Sequence, residues 1–491
     1  MMLVIALSLY IVAWSFLGAC ARCRISPLYG LAAFVALYAG VLVTFVIKLQ
    51  FTATPAFAAT AALCLLQATD GATDKRKRVA RLTLVGLLML YALALRAESC
   101  LMTLPLFVWL GIARLIRRAS GGRWLTGVVI VLSALVCLGY AGDLALYNAS
   151  DEGWAASQPY IYQRSELMDF SDTTALASVA PAVTDWSPEL TACVRDWFFL
   201  DERITTEALA AVNAGLRATE AATTPFSVAR ATASILRRYG MFRWNLLPFA
   251  LAVVFALIAC PREKRLRGAL ALAGWPLYLL AIIAFFYGIL SRFPTRVAFV
   301  AACPVYVMTL LSVAPMLNEG DGRIQTKTGR RSRRALALLC ALALGCSAAT
   351  LYESRDEMLC LRWQPGARQN GMAMTEAVNA YAVAHPDTVF VTELAQCASP
   401  LRGYQDGLPV NLMDMTTGYL RTPLYQEKLT RLGYSAFSTR DLWDERARLI
   451  ICDESRLQGL LAYIRADYGD VACIPERREP WFTVYRLVMP E

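Results

Sequence analysis

The sequence predicts an α-helical polytopic membrane protein with about ten transmembrane helices, a mostly helical outer loop and a C-terminal extracytoplasmic α/β domain. Of its 491 residues, 57% are apolar and only 18% are charged, and the mean hydropathy is +0.45. Long apolar segments recur along the chain, and every second connection between them is rich in lysine and arginine. Since a soluble fold has too little polar surface to cover such a composition, a bilayer must supply the apolar solvent.

The apolar segments have the length of membrane-spanning helices. A helix satisfies its own backbone hydrogen bonds, so roughly 17 to 25 apolar residues can cross the hydrocarbon core. The segments lie near residues 2–19, 27–47, 52–68, 80–95, 99–116, 124–147, 243–260, 268–290, 295–316 and 335–351.

Basic residues predict the orientation. The connections within 22–24, 75–81, 114–123, 262–267 and 323–334 contain 21 lysines and arginines, whereas the alternate short connections contain only Lys48, Arg96, Arg292 and Arg296. The positive-inside bias therefore places the first set in the cytoplasm. We expect a multi-pass plasma-membrane protein with both termini extracytoplasmic.

The net charge of +10 has the same origin. Acidic residues outnumber basic ones in the two long outer segments, by 12 to 7 in 148–240 and by 19 to 15 in 352–491. The basic balance thus reflects membrane topology, and we expect no nucleic-acid partner.

Four parts are predicted along the chain. Residues 1–147 hold six spans, 148–240 form the outer loop, 241–351 hold four spans, and 352–491 form the outer α/β domain. The outer loop is longer than a connector needs to be, which is typical of a functional or folded insertion. Ser187-Pro188 with Glu189 predicts one helix start there, and Thr205/Thr206 with Glu207 predicts a second.

The C-terminal part shows strand and helix patterns in alternation. GMAMTEAVNAYAVAHP predicts a helix that ends before Pro386, and TVFVTE and RLIICD predict strands. ESRLQGLLAYIRADYG predicts an amphipathic helix, after which VACIP and WFTVYRLV can pair as an antiparallel edge. No catalytic constellation is visible in this part, so we expect it to bind or position an acceptor.

Several enzyme classes are excluded by absent motifs. The sequence contains no GxxxxGK[ST], no GxGxxG after a strand and no HExxH. The motifs that ATPase, dinucleotide-binding and zinc-protease functions require are therefore absent from the sequence. His385 is the only histidine, which also excludes a multi-histidine metal site and makes a histidine-based triad untenable.

Two outward arginines are the first candidate site. The connection SRFPTR places Arg292 and Arg296 outside, between two apolar spans. Guanidinium groups bind phosphate oxygens in forked geometry, and a membrane-embedded phosphate belongs to a polyprenyl-linked lipid or a phospholipid. The alternative is ordinary headgroup contact or pairing with the acidic outer loop.

Charged residues also occur at two other outer positions. Arg96 and Glu98 in LALRAESC lie at the end of a tight helical hairpin, where charges close to the apolar core are costly and often functional. In YQRSELMDFSD, Asp169 is a candidate general base for an acceptor hydroxyl or a ligand of a divalent metal ion. Mutual neutralisation and simple solubility are the alternatives.

The overall layout resembles the glycosyltransferase-C superfamily of lipid-linked sugar transferases. The shared features are many spans, basic cytoplasmic turns, acidic outer loops and an α/β domain after the last helix. The segment DWSPELTACVRDWFFLDERITTEAL also resembles a segment of large bacterial membrane proteins. Members of the superfamily usually carry an acidic pair in the first outer loop, but no carboxylate precedes Asp70 here. Either another loop supplies the catalytic acid, or an N-terminal part is missing, or the assignment fails.

The resemblance implies transfer of a sugar from a polyprenyl-phosphate-linked donor to a glycan or lipid acceptor in envelope glycan assembly. Asp169 or Glu98 would then deprotonate the acceptor, and Arg96, Arg292 and Arg296 would hold the lipid phosphate. The alternatives are a polysaccharide polymerase or ligase, and a non-enzymatic scaffold. Transport is disfavoured because the spans contain almost no ionisable residues.

Overall fold

The computed structural model describes residues 1–23, 25–43, 46, 52–69, 74–118, 122–150, 152–171, 173–219, 225–238, 240–290, 293, 295–318, 327–353, 365–393, 409–415 and 420–489. Helices dominate its first part: α1 (Met2–Arg22), α2 (Pro27–Leu37), α3 (Ala53–Thr69), α4 (Lys75–Leu95), α5 (Ala97–Ile116) and α6 (Gly122–Ser150). A π-helical turn at Tyr38–Leu42 extends α2. The Asp74 side chain caps α4 by accepting a hydrogen bond from the Arg76 N–H at 2.9 Å.

The predicted outer loop is helical. It contains α7 (Glu152–Ser165), a π-helical turn (Glu166–Phe170), α8 (Leu176–Val183), α9 (Pro188–Arg195) and α10 (Thr206–Thr219). The Ser187 hydroxyl accepts the Leu190 N–H at 3.0 Å, and the Thr205 hydroxyl accepts the Ala208 N–H at 3.1 Å. Both predicted helix starts are confirmed, because each side-chain oxygen satisfies a donor that the first turn leaves open.

The second apolar stretch follows. After α11 (Pro225–Arg238), which still lies in the predicted outer loop, it contains α12 (Gly240–Arg243), α13 (Leu246–Ala259), α14 (Arg262–Leu290), α15 (Thr295–Asn318) and α16 (Lys327–Glu353).

Within the described residues, seven helices are long and apolar enough to cross a membrane: α1, α4, α5, α6, α14, α15 and α16. The other three predicted spans coincide with the shorter apolar segment Pro27–Leu42, with α3 and with α13. The chain is a multi-pass membrane protein. The count of ten spans and the extracytoplasmic placement of both termini remain predictions.

The C-terminal part forms a mixed sheet with helices. Its elements are α17 (Pro365–Ala384), β1 (Val389–Thr392), β2 (Leu412–Asp414), α18 (Pro423–Leu432), β3 (Ala447–Ile451), α19 (Glu454–Tyr468), β4 (Ala472–Arg478) and β5 (Thr483–Val488). The strand order is β2-β1-β3-β5-β4, with β1 parallel to β2 and β3 and with β5 antiparallel to β3 and β4. The predicted antiparallel edge is confirmed. His385 follows α17, and its Nδ1 lies 2.8 Å from the Tyr381 carbonyl oxygen.

The chain divides into two units. One, the bundle unit, contains Met1–Leu144 and Thr223–Met358, and the other, the α/β unit, contains Ala145–Ala222 and Leu359–Glu491. The helices α7 to α10 thus belong to the same unit as the C-terminal sheet. The four-part division drawn from sequence remains a prediction.

Helix α3 is the central helix of the bundle unit. All but one of its residues are buried, as expected of a helix surrounded by others. It packs on α15 through the Phe57 and Phe299 rings, whose centroids are 5.1 Å apart, and the Gln67 amide donates to the Leu311 carbonyl at 3.2 Å. The contact residues follow the same order along both helices, from Phe57 and Phe299 to Gln67 and Leu311, so α3 and α15 run parallel.

Arginines close the C-terminal end of α3. Arg81 of α4 donates to the Ala68 carbonyl at 2.6 Å, and Arg114 of α5 donates to the Gln67 carbonyl. Cations at this end offset the negative pole of the helix and satisfy carbonyls that have no intrahelical partner. They also show that α4 runs antiparallel and α5 parallel to α3.

A polar cluster joins α2, α13 and α16 inside the bundle unit. The Asn245 amide donates to the Thr350 hydroxyl at 3.0 Å and to the Gly40 carbonyl at 3.2 Å. The Ser347 hydroxyl donates to the Ala36 carbonyl at 2.7 Å. A Cβ on Gly40 would lie 2.4 Å from Asn245 Oδ1, so the close approach requires glycine. Such interhelical hydrogen bonds stabilise packing where apolar burial gives little driving force.

The α/β unit has one main core to which both of its sequence segments contribute. Leu190 and Val194 of α9 are buried in the same cluster as Val391 of β1 and Leu461 of α19. The Phe199 N–H also donates to the Met415 carbonyl at 3.2 Å. The helices α7 to α10 therefore form part of the domain built on the C-terminal sheet.

A buried carboxylate, Asp201, joins the same two segments. Arg203 donates to both of its oxygens, at 3.0 and 3.1 Å, and the hydroxyls of Tyr463 and Tyr468 donate to Oδ2. Arg203 also pairs with Asp467. Burial alone would raise the pKa of Asp201, but the hydrogen bonds from Arg203 and the tyrosines outweigh burial and hold the pKa below its usual value.

Candidate functional site

The amino-terminal ends of α3, α5 and α15 meet at one end of the bundle unit. The contacts of α3 establish this arrangement, because α5 and α15 both run parallel to it. The charge pattern of the sequence predicts that this end faces outward. Three of the five sequence-predicted site residues lie at this end of the bundle unit: Arg96, Glu98 and Arg296.

Arg96 lies at the junction of α4 and α5. It has an extended backbone, with φ −161°, and is the residue that separates the two helices. Its Nη1 donates to the hydroxyl of Thr52 at 2.9 Å, immediately before α3, and its Nε lies 3.6 Å from Glu98 Oε2. Glu98 is 67% exposed, whereas Arg96 is 27% exposed. Arg96 and Glu98 therefore form an ion pair, which is the mutual neutralisation given above as the alternative to a functional role, and the pair lies against the start of α3.

Arg296 approaches the same helix from α15. It lies in the first turn of α15 and is half-buried. Phe299, one turn further, packs on Phe57 of α3, so Arg296 lies level with Thr54 at the start of α3. The structure thus brings Arg96 and Arg296 to the same helix end.

The electrostatics of this end favour an anion. The first turns of α3 and α15 contain no acidic residue, and the aligned backbone dipoles give each helix start a partial positive charge. Arg96 and Arg296 add two full positive charges, against which Glu98 supplies one negative charge among the described residues. A phosphate would accept hydrogen bonds from both guanidinium groups.

The neighbouring candidate Arg292 lies outside the described residues. Phe293, which follows it, is buried, and its ring makes an edge contact with Phe286 at 5.8 Å. Because Arg292 lies outside the described residues, its role in phosphate binding remains a prediction.

Sequence reasoning missed a third group of arginines. Helix α11 carries Arg230 and Arg237 and buries Ile235, and it packs against α14. Its strong amphipathic pattern, PFSVARATASILRR, was available as a signal. Such helices lie in the membrane interface, where their basic face meets anionic headgroups.

Asp169 lies in the α/β unit rather than the bundle unit. It is half-buried in the π-helical turn Glu166–Phe170, where Glu166 pairs with Arg217 of α10. Asp172 lies outside the described residues. In the part of the chain that the structure describes, no three histidine, cysteine or acidic side chains are grouped as metal ligands. A divalent ion at Asp169 remains a prediction.

A large apolar cavity is present elsewhere in the bundle unit. It has a volume of about 140 Å³ and is lined by α1, α2, α13, α15 and α16. Its α15 lining comprises Tyr306 to Val313, so the cavity lies two or more turns from Arg296. It is suited to hydrocarbon chains, but it does not adjoin the arginines.

Comparison with known proteins gives a distant structural likeness. No family model matches the chain, and no curated protein does. Two crystal structures of ArnT from Cupriavidus metallidurans, one apo and one bound to undecaprenyl phosphate, align with 99% of this chain and 83% of theirs. The identity is 13% and the TM-score is 0.33.

Proposed function

We propose that the chain is a membrane glycosyltransferase of cell-envelope glycan assembly, which uses a polyprenyl-phosphate-linked sugar donor at the outer face of the plasma membrane. The observation that supports this most strongly is the placement of Arg96 and Arg296 at three parallel helix starts. The two guanidinium groups add positive charge to the amino-terminal end of α3, where the helix dipole is also positive. This end is predicted to face outward. A membrane-anchored phosphate is the ligand that matches this charge and location.

The same groups would assist the chemistry. Transfer requires an acceptor oxygen to attack the anomeric carbon while the bond from that carbon to the phosphate oxygen breaks. Negative charge then develops on the departing polyprenyl phosphate, and Arg96 and Arg296 would stabilise it. A carboxylate would take the acceptor proton. We assign this role to Glu98, which is exposed beside Arg96, or to Asp169.

Turnover of a donor panel tests the proposal. The full-length protein in nanodiscs is incubated with polyprenyl-phosphate-linked hexoses, pentoses and amino sugars, and release of polyprenyl phosphate is measured. We expect release from at least one donor, and a loss of about 100-fold in Arg296→Ala, since charge-assisted hydrogen bonds contribute roughly 1.5 to 3 kcal/mol each. Arg334→Ala, which changes an exposed arginine of α16, is the matched control and should retain activity.

Two other functions are separated by the same assay. A polysaccharide polymerase or ligase would release polyprenyl phosphate only when a lipid-linked oligosaccharide replaces the single sugar. A scaffold would release none from any donor, and Arg296→Ala would then have no catalytic effect. The glycosyltransferase proposal fails if no single-sugar donor is consumed with or without added glycan acceptors.

A further inference from the structure

The α/β unit contains a cleft at the carboxyl edge of its sheet. The chain passes from β1 to β2 on one side and then returns through α18 to β3 on the other side of β1. This reversal of strand order is the place where open α/β sheets leave a crevice for ligands. The cleft opens to solvent and is lined by residues of α9 and α19 and by the residues that follow α9, β1 and β2.

Glu393, directly after β1, is the buried polar group of this cleft. Its side chain is fixed because Oε1 accepts the N–H groups of Cys452 at 2.7 Å and Asp453 at 2.9 Å. The residue is 4% exposed, and Oε2 has no hydrogen-bond partner among the described residues. A buried oxygen without a partner costs free energy, which a ligand that supplies a hydrogen bond would recover.

The remaining lining combines an apolar floor with a charged rim. Phe198, Met415 and Leu460 are apolar, and Phe198 is almost fully buried. Asp196 and Arg456 are exposed and carry opposite charges. The cleft therefore offers acceptors, a donor and an apolar surface within one small volume.

We propose that this cleft binds a sugar ring of a glycan through its hydroxyl groups. A hydroxyl both donates and accepts hydrogen bonds, so it can pair with Oε2 of Glu393 whether that carboxyl is ionised or protonated. Neighbouring hydroxyls can pair with Asp196 and Arg456, while the C–H face of the ring packs on the apolar floor. Burial, although opposed by the two N–H groups, raises the pKa of Glu393, which is consistent with a desolvated carboxyl.

The identity of this glycan as the acceptor rests on the proposed function, whereas its binding to the cleft does not. Arg296→Ala should lower turnover about 100-fold and leave sugar binding unchanged. If binding is retained while every donor fails, the glycosyltransferase proposal falls and the cleft assignment stands.

Saturation-transfer NMR on the full-length protein in nanodiscs tests the binding. The probes are cellobiose, lactose and chitobiose, with glycerol as a non-ring polyol. We expect saturation transfer to at least one disaccharide and about tenfold weaker binding in Glu393→Gln, which keeps the shape of the side chain but loses its charge-assisted hydrogen bond.

A steric variant gives a second test. A Cβ added to Gly459, which lines the cleft on α19, meets no described atom within 4 Å. Gly459→Leu should therefore fold normally, fill the cleft and abolish binding, whereas Glu445→Gln, an exposed carboxyl of the same unit, should bind as wild type. Binding equal to wild type in both Glu393→Gln and Gly459→Leu, or no transfer to any disaccharide, overturns the assignment.

Discussion

Replacing Asp201 with asparagine should open the junction between the two segments of the α/β unit. Asparagine has nearly the same shape, so packing is preserved while the charge is lost. Arg203 would keep Asp467 as a partner but lose its forked contact with two oxygens. The amide NH₂ would also face the hydroxyls of Tyr463 and Tyr468, which both donate to Oδ2 in the native protein.

The expected cost follows from burial of the pair. The Asp201 side chain is fully buried and that of Arg203 is 23% exposed. Removing one partner of a buried, hydrogen-bonded ion pair costs about 3 to 5 kcal/mol. At about 1.4 kcal/mol per factor of ten, the open form should become roughly 100- to 3000-fold more populated.

Hydrogen–deuterium exchange with mass spectrometry measures this population. Peptides from α9 and α19 should lose protection by that factor in Asp201→Asn, while peptides from α3 and α15 stay unchanged. Asp444→Asn is the control, because Asp444 pairs with Arg446 at 3.8 Å in an exposed contact worth at most about 1 kcal/mol. Protection of α9 within threefold of wild type in Asp201→Asn would refute the reasoning.

Three further predictions concern packing and charge. Gly274→Ala places a Cβ 1.8 Å from the Trp109 ring and should lower the free energy of unfolding by about 1 to 3 kcal/mol. The thermal unfolding midpoint in detergent should fall accordingly. Gly86→Ala is the control, because its Cβ meets open space and should not lower the midpoint. Burial lowers the pKa of Lys428 to about 8. The rate of its chemical acetylation, measured by mass spectrometry, should therefore rise with a midpoint near pH 8. A midpoint near the usual lysine pKa of about 10.4 would contradict this prediction. The pKa of Asp201 is held below its usual value, so the stability it contributes is complete above about pH 4 and is lost as the pH falls through the folded-state pKa. Unchanged exchange protection of α9 down to pH 2 would contradict that.

The sequence predicts those elements that have local signals. Ser187 and Thr205 cap helices where expected, and the apolar run RLIICD forms β3. The strand β2 has only three residues, too few for a periodic pattern to emerge. It is recognised only through its pairing with β1.

Contacts between distant segments were beyond sequence reasoning. The Arg421 guanidinium donates to the Ile204 carbonyl at 3.0 Å, more than 200 residues away along the chain. No local pattern encodes such a pair, so the shared core of the α/β unit could not be foreseen. Likewise, Arg96 and Arg296 each stood out in the sequence as basic residues in connections predicted to be extracytoplasmic. Only the packing of α3 against α5 and α15 brings them to one helix end.

The proposed function depends most on whether Arg96 and Arg296 form a phosphate site. Binding of undecaprenyl phosphate to wild type, Arg296→Lys and Arg296→Ala in nanodiscs measures this directly, with Arg334→Ala as control. We predict the order wild type, Lys, Ala, with the alanine variant weaker by about ten- to a hundredfold, because lysine keeps the charge but loses the planar fork. Equal binding by wild type and the alanine variant, at unchanged expression and thermal stability, would contradict the phosphate site.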